Sequence, residues 1–170
     1  MKRVTHITTG AAVALPVAAG LSPAAAAGAI FLGMAGAVVP DYADLKSDAR
    51  RFLTHRGLSH SLLFAAAATA LVYMLLTALT GVDDTRFRLH ADLVEPLLAA
   101  FALGIGSHLL LDAATPSGIR PGLPFVDARL RILPPGMRIP TGSRRDGIIH
   151  SMTSLIVLIG LCYLVFEHIR

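Results

Sequence analysis

Charge is scarce in this chain: only 15% of its 170 residues are Asp, Glu, Lys or Arg, against 54% hydrophobic. A soluble domain of this size needs more polar surface to cover its core. The shortage therefore excludes an ordinary water-soluble fold, and a mean hydropathy of +0.65 points to lipid as the main solvent. Cysteine is nearly absent as well. The single Cys162 excludes an intramolecular disulfide framework and leaves the redox compartment unread; lying in an apolar run, it is expected to be a small buried side chain. Also missing are an HExxH pair, a P-loop, a GxSxG elbow and a dinucleotide fingerprint, which removes zincin-type intramembrane proteases, NTPases and α/β-hydrolases. With no internal repeat and no soluble segment, residues 1–170 read as a single membrane-embedded domain.

What is there is apolar sequence in long runs, at about 7–39, 61–80, 93–113 and 148–167. The last three have the roughly 20-residue length of a spanning helix. The first is longer than one helix requires and is broken by Pro16, Gly20 and Ser22-Pro23, a helix end followed by an N-cap and a first-turn proline. It splits into helices over about 5–20 and 23–39. The fold expected is all-α and polytopic, with about five transmembrane helices, the first two a short hairpin. Lys2, Arg3, the apolar stretch and Ala24-Ala25-Ala26-Ala27 imitate a cleavable signal peptide. The early polar segment Thr5-His6-Ile7-Thr8-Thr9 argues against cleavage, so this stretch is expected to stay.

Basic residues in short loops favour the cytoplasm. Five helices put Lys2, Arg3, Lys46, Arg50, Arg51, Arg56, Arg120, Arg129, Arg131, Arg138, Arg144 and Arg145 on one side, twelve of the fifteen, with Arg86, Arg88 and Arg170 opposite. This implies a multi-pass membrane protein with that face cytoplasmic. Topology thus accounts for the net charge of +4, and no nucleic acid partner is implied. The same arrangement collects His6, Asp41, Asp44, His55, His60, His108 and Asp112 at one membrane face.

Those residues belong to the metal-ligand alphabet, and an ionisable group at a membrane edge is costly without a partner or a role. His108 and Asp112 stand four apart in an apolar helix and share a face with Gly104. His6, Gly10, Ala14 and Ala18 form a ridge of small residues at four-residue steps, a helix-packing seam with His6 above it. Pro40-Asp41-Tyr42-Ala43-Asp44 reads as a loop after the second helix, and His55-Arg56-Gly57-Leu58-Ser59-His60-Ser61 leads into the third. Taken singly, each has a plainer reading: His6 an interfacial side chain, Asp41 and Asp44 helix caps or partners of Lys46. Taken together, His6, Asp41, His55, His60, His108 and Asp112 are candidate ligands of one or two divalent ions. Imidazole with carboxylate suits zinc, and manganese or iron also fit.

These motifs, with Thr5-His6, Gly106 to Gly118 and Thr141-Gly142-Ser143, resemble the YdjM-like membrane-bound metal-dependent hydrolases over about residues 4–150. The resemblance implies a hydrolase with the metal at a membrane face. The order His6, Asp41, His55, His108-x3-Asp112 is also distantly similar to the first half of the zinc-dependent phospholipase C and P1-type nuclease site. Its second half departs, since only Asp146 and His150 follow. The expected activity is cleavage of a phosphoester in a lipid or lipid-linked substrate, with Asp44 as proton acceptor and Arg56 meeting the phosphate. Membrane lipid is the expected partner, and a homo-oligomer through the Ala/Gly-rich first helices is compatible. A metal-ion transporter or sensor, or a structural membrane protein, would use the same cluster.

Residues 114–147 are rich in Pro and Gly and mix Leu123, Phe125, Leu130, Ile132 and Leu133 with arginines. They read either as a headgroup-level flap over the metal face or as a plain positive-inside loop. Ser143-x2-Asp146 matches a capping box at the start of the last helix, which favours Asp146 as a cap over a ligand. Arg144 and Arg145 suit a phosphate contact or a helix anchor. The mixed-charge loop 81–92 offers no chemistry.

Overall fold

A computed structural model describes residues 1–44, 57–82 and 88–169, and these form an all-helical bundle. Its helices are α1 (Arg3–Ala18), α2 (Pro23–Tyr42), α3 (Leu62–Thr80), α4 (Val94–Ala113) and α5 (Arg144–Ile169). Four of them, α2 to α5, are long and apolar enough to cross a membrane. The 16 residues of α1 rise only about 24 Å, short of the hydrocarbon thickness of roughly 30 Å. Gly20, at φ +80°, makes the turn that sends α2 back along α1, and Pro23 sits in the first turn of α2 where its missing N–H costs nothing. Ser22 holds the N-cap position without a side-chain hydrogen bond to that turn.

Helices α1, α2 and α4 pack on one another as the inner group, while α5 leans on α1 and α3 on α4. Small residues make the inner group close. A Cβ on Gly10 would come within 2.5 Å of the Gly33 carbonyl oxygen and of Ala37 Cβ, and one on Gly104 would run into the Gly33 carbonyl. Gly36 faces the Phe101 carbonyl in the same way. The ridge of Gly10, Ala14 and Ala18 is therefore spent inside the chain, with both alanines fully buried. Helices α3 and α5 expose Leu71, Met74, Leu75, Leu155, Leu158 and Ile159, as lipid-facing surfaces do. Cys162 belongs to that surface: it is exposed, contrary to expectation, because α5 buries only Asp146 and Leu164.

The second helix does not stop at residue 39. It runs through Pro40 to Tyr42, and Ala43 N–H closes it on the Val39 carbonyl at 3.0 Å. A proline in the final turn forfeits one intrahelical bond, to the carbonyl of Gly36, which is tolerable at a helix end. Asp41 consequently stands on a helix and not in a loop.

The stretch between α4 and α5 folds back on the bundle. Ile132 and Ile139 donate backbone N–H to the carbonyls of Ala113 and Ala114 at 3.1 Å each, which satisfies the end of α4. Ile119 and Leu130 pair as an isolated antiparallel bridge after Gly118 at φ +65°. Leu123 is buried, Leu133 half-buried, and Phe125, Leu130 and Ile132 are exposed. Several arginines act as internal staples: Arg131 donates to the Pro116 carbonyl, Arg138 to Leu133, and Arg145 to Gly136 and Arg138. Arg145 is thus an anchor for the start of α5.

Candidate metal centre

Five of the six candidate ligands converge at one end of the inner group. His6 comes from the start of α1, Asp41 from the last turn of α2, His60 from a short 3-10 turn (Leu58–His60) before α3, and His108 and Asp112 from the last turns of α4. His6, His60, His108 and Asp112 are each no more than 1% exposed, and the Asp41 side chain is 23% exposed. His55 lies outside the described residues, as does Arg56. Asp44 is half-buried just beyond the end of α2.

The centre of the cluster is a pair of imidazoles. His60 Nε2 and His108 Nε2 are 3.1 Å apart. Asp41 Oδ1 lies 3.7 Å from each of them, and Asp112 Oδ2 lies 3.4 Å from His60 and 3.8 Å from His108. Four donors bonded to one zinc at 2.0–2.2 Å in a tetrahedron stand about 3.3–3.6 Å from one another. The five separations here bracket that range. His6 stacks on His108 with ring centroids 4.0 Å apart, and its Nε2 meets the other oxygen of Asp112 at 3.3 Å. That same oxygen is 2.8 Å from the Met1 amino nitrogen. Two overlapping triads, His6–Asp41–His108 and His60–His108–Asp112, each hold one ligand atom per residue within 4.8 Å of the others.

Tautomers decide what this arrangement can hold. A carbonyl only accepts, so the 2.6 Å contact from His108 Nδ1 to the Ala37 oxygen requires a proton on Nδ1 and leaves the Nε2 of neutral His108 with its lone pair. His60 Nδ1 meets the buried Ser59 hydroxyl at 2.9 Å. If that hydroxyl donates, a proton on His60 Nε2 bridges the imidazoles; if it accepts, two lone pairs face each other and a cation between them is required. One frame of heavy atoms thus suits a proton or a metal ion. The Ala37 carbonyl and Ser59 hydroxyl are the outer-shell partners that orient ligand histidines. His6 Nδ1 is buried with no hydrogen-bond partner among the described residues. The residues present therefore fit a divalent ion.

Neither Asp146 nor His150 is among these donors. Asp146 is fully buried, and its carboxylate accepts from Thr5 Oγ1 at 2.8 Å, Gly142 N–H at 2.7 Å and Lys2 N–H at 3.2 Å. The capping half of the expected box also forms, since Ser143 Oγ accepts from Asp146 N–H at 3.3 Å. Asp146 thus ties the start of α5 to the start of α1, next to His6. His150 Nδ1 pairs with Thr8 Oγ1 at 3.2 Å. The orienting roles of Ala37 and Ser59 have little sequence signal: any residue has a carbonyl, and Ser59 is marked only by its place beside His60 in the motif.

Comparison with curated proteins and with solved structures returns no match. A family model described as YdjM inner membrane protein matches residues 1–170, the whole chain. The chain accordingly belongs to the YdjM inner membrane protein family.

Proposed function

We propose that the protein is a membrane-embedded, metal-dependent hydrolase that cleaves a phosphoester of a lipid or lipid-linked substrate at the cytoplasmic face. The observation that carries this reading is the facing pair of His60 and His108 Nε2 atoms, with Asp41 and Asp112 oxygens within 3.8 Å of both. A divalent ion bound there, zinc by donor chemistry and manganese or iron by the same donors, would supply an acidified water and neutralise charge developing on phosphorus. The protein residues then have distinct tasks. His60, His108, Asp41 and Asp112 would hold the ion, with His6 as a further ligand or as the ring that fixes His108. Asp44, three residues past Asp41, takes the proton of the attacking water, and Arg56, four residues before His60 in sequence, meets the phosphate. The twelve basic residues that a five-helix topology puts on one side support the cytoplasmic assignment.

Burial of His6, His60, His108 and Asp112 also favours a structural reading, in which the histidines tie helix ends together and no reaction occurs. Elemental analysis of the detergent-purified protein separates the two, with His108→Ala/Asp112→Ala as comparison. Stoichiometric metal in the wild type, lost in the double variant, together with turnover of a phosphoester lipid panel, is the expected result. No metal in either protein would overturn the hydrolase reading. Metal without turnover would favour the structural one.

A further inference from the structure

An apolar groove of about 530 Å³ runs between α3 and α4. One end lies beside the metal cluster: Leu109 follows His108, and Leu62 stands two residues after His60. The other end is at Tyr73 and Leu98, eleven residues along α3 from Leu62 and ten along α4 from His108. At 1.5 Å per residue the groove is about 15 Å long, half of the roughly 30 Å hydrocarbon core. That length matches the depth of one leaflet, measured from the end of the groove nearest the metal ligands. Its floor is small, with Ala66, Ala102 and Gly106, and the Thr69 hydroxyl is turned back onto the Ala65 carbonyl at 2.8 Å.

We infer that this groove holds an acyl chain of a phospholipid drawn from the leaflet nearest the metal cluster, which brings the headgroup of that lipid to the Leu62 and Leu109 end of the groove, beside the elements that carry His60 and His108. The inference rests on the lipid-phosphoester reading above and adds the route by which the substrate arrives, sideways between α3 and α4. A transmembrane helix of a second copy is the rival occupant, since small residues also favour helix packing. Such a helix would need a seam along the full span. Here the small residues end at mid-depth, and α3 continues with exposed Met74, Leu75 and Leu79. An acyl chain ends where the groove ends.

The chain contains no tryptophan, so a single introduced one reports alone. Tyr73→Trp places it at the inner end of the groove, and Leu155→Trp, eleven residues into α5 on an exposed position, is the control at matching depth. Each protein is reconstituted in vesicles of phosphatidylcholine brominated on its acyl chains. The groove reporter is expected to be quenched beyond the control, because a chain held in the groove stays against it while chains at the exposed α5 position exchange. Adding Gly106→Phe should abolish the excess. A Cβ at Gly106 meets nothing within 4 Å, and Gly106 lines the groove, so bulk added there is set into the groove and not into the helix seam. Equal quenching of the two reporters, or excess quenching that survives Gly106→Phe, would overturn the inference. So would resonance energy transfer between labelled copies that Gly106→Phe abolishes, the result that a second copy in the groove would give. Excess quenching without hydrolysis of any phosphoester would refute the enzymatic reading and keep the groove; hydrolysis with equal quenching would do the reverse.

Discussion

Replacing Asp146 tests whether the cluster depends on the way the helix ends are tied together. Its carboxylate is fully buried and accepts three hydrogen bonds, two on Oδ2 from the N–H groups of Gly142 and Lys2 and one on Oδ1 from Thr5. A hydrogen bond to a charged group contributes about 1.5–3 kcal/mol, and a buried donor left alone costs about 1–3 kcal/mol. Thr5 is fully buried, whereas the two backbone donors are partly accessible and recover some solvation. Asp146→Ala should therefore destabilise by about 3–5 kcal/mol in total, not by the sum of three full bonds. Scaled as for a soluble domain of this length, that is a fall in Tm of about 10 °C. Asp146→Asn should be milder. Its amide oxygen can occupy the Oδ2 position and accept from both N–H groups, while its NH2 donates to the Thr5 hydroxyl, which reverses its role. The assay is thermal unfolding in detergent, with bound metal measured on the same samples, because freeing Thr5 also frees His6. An alanine variant as stable as the wild type, or an asparagine variant no better than alanine, would refute the reasoning.

Two further predictions rest on single contacts. Ser59→Ala removes the partner of His60 Nδ1 and should weaken metal binding by about tenfold or more, read by competition with a chelating dye, with helix content by circular dichroism unchanged; unaltered affinity would mean that Ser59 does not orient His60. Gly104→Val sets a branched side chain against the Gly33 carbonyl and should cost about 1–3 kcal/mol in thermal unfolding while also lowering metal content, since it forces α4 away from α2. Loss of stability with metal binding intact would uncouple the seam from the site.

Much of the architecture is legible from hydrophobic run length, because a bilayer imposes about 20 apolar residues on any spanning helix. Proline and glycine gave the hairpin turn correctly, but proline misled at Pro40, where only one late hydrogen bond was at stake and the helix carried on to place Asp41. The convergence of His6, His60, His108 and Asp112 was readable from helix order, since each stands at a helix end on the same side. What pattern reading could not supply is the hydrogen bond that fixes the His108 tautomer. It goes to a backbone carbonyl, Ala37, and carbonyls carry no sequence signature. Cys162 is exposed and not buried because an apolar run in a membrane protein faces lipid as readily as it faces protein.

The glycine seam and the ligand cluster are one construction. Ala37 meets Gly10 of α1 and Gly104 of α4, and its own carbonyl receives His108 Nδ1. A His108 ring one helical turn beyond Gly104 can reach that carbonyl only because α4 lies against α2 with no side chain between Gly104 and Gly33. Gly10, in turn, one turn after His6, lets α1 approach closely enough for His6 to stack on His108 at 4.0 Å. Small residues one turn below the histidines therefore set the spacing of the imidazoles above them. Bulk added at Gly10 or Gly104 acts on the donor geometry first, through helix separation, although neither glycine touches a ligand atom. The order of the motif follows from this: in α1 and in α4 alike, glycine and histidine lie four apart on one face, and both helices present that face to α2.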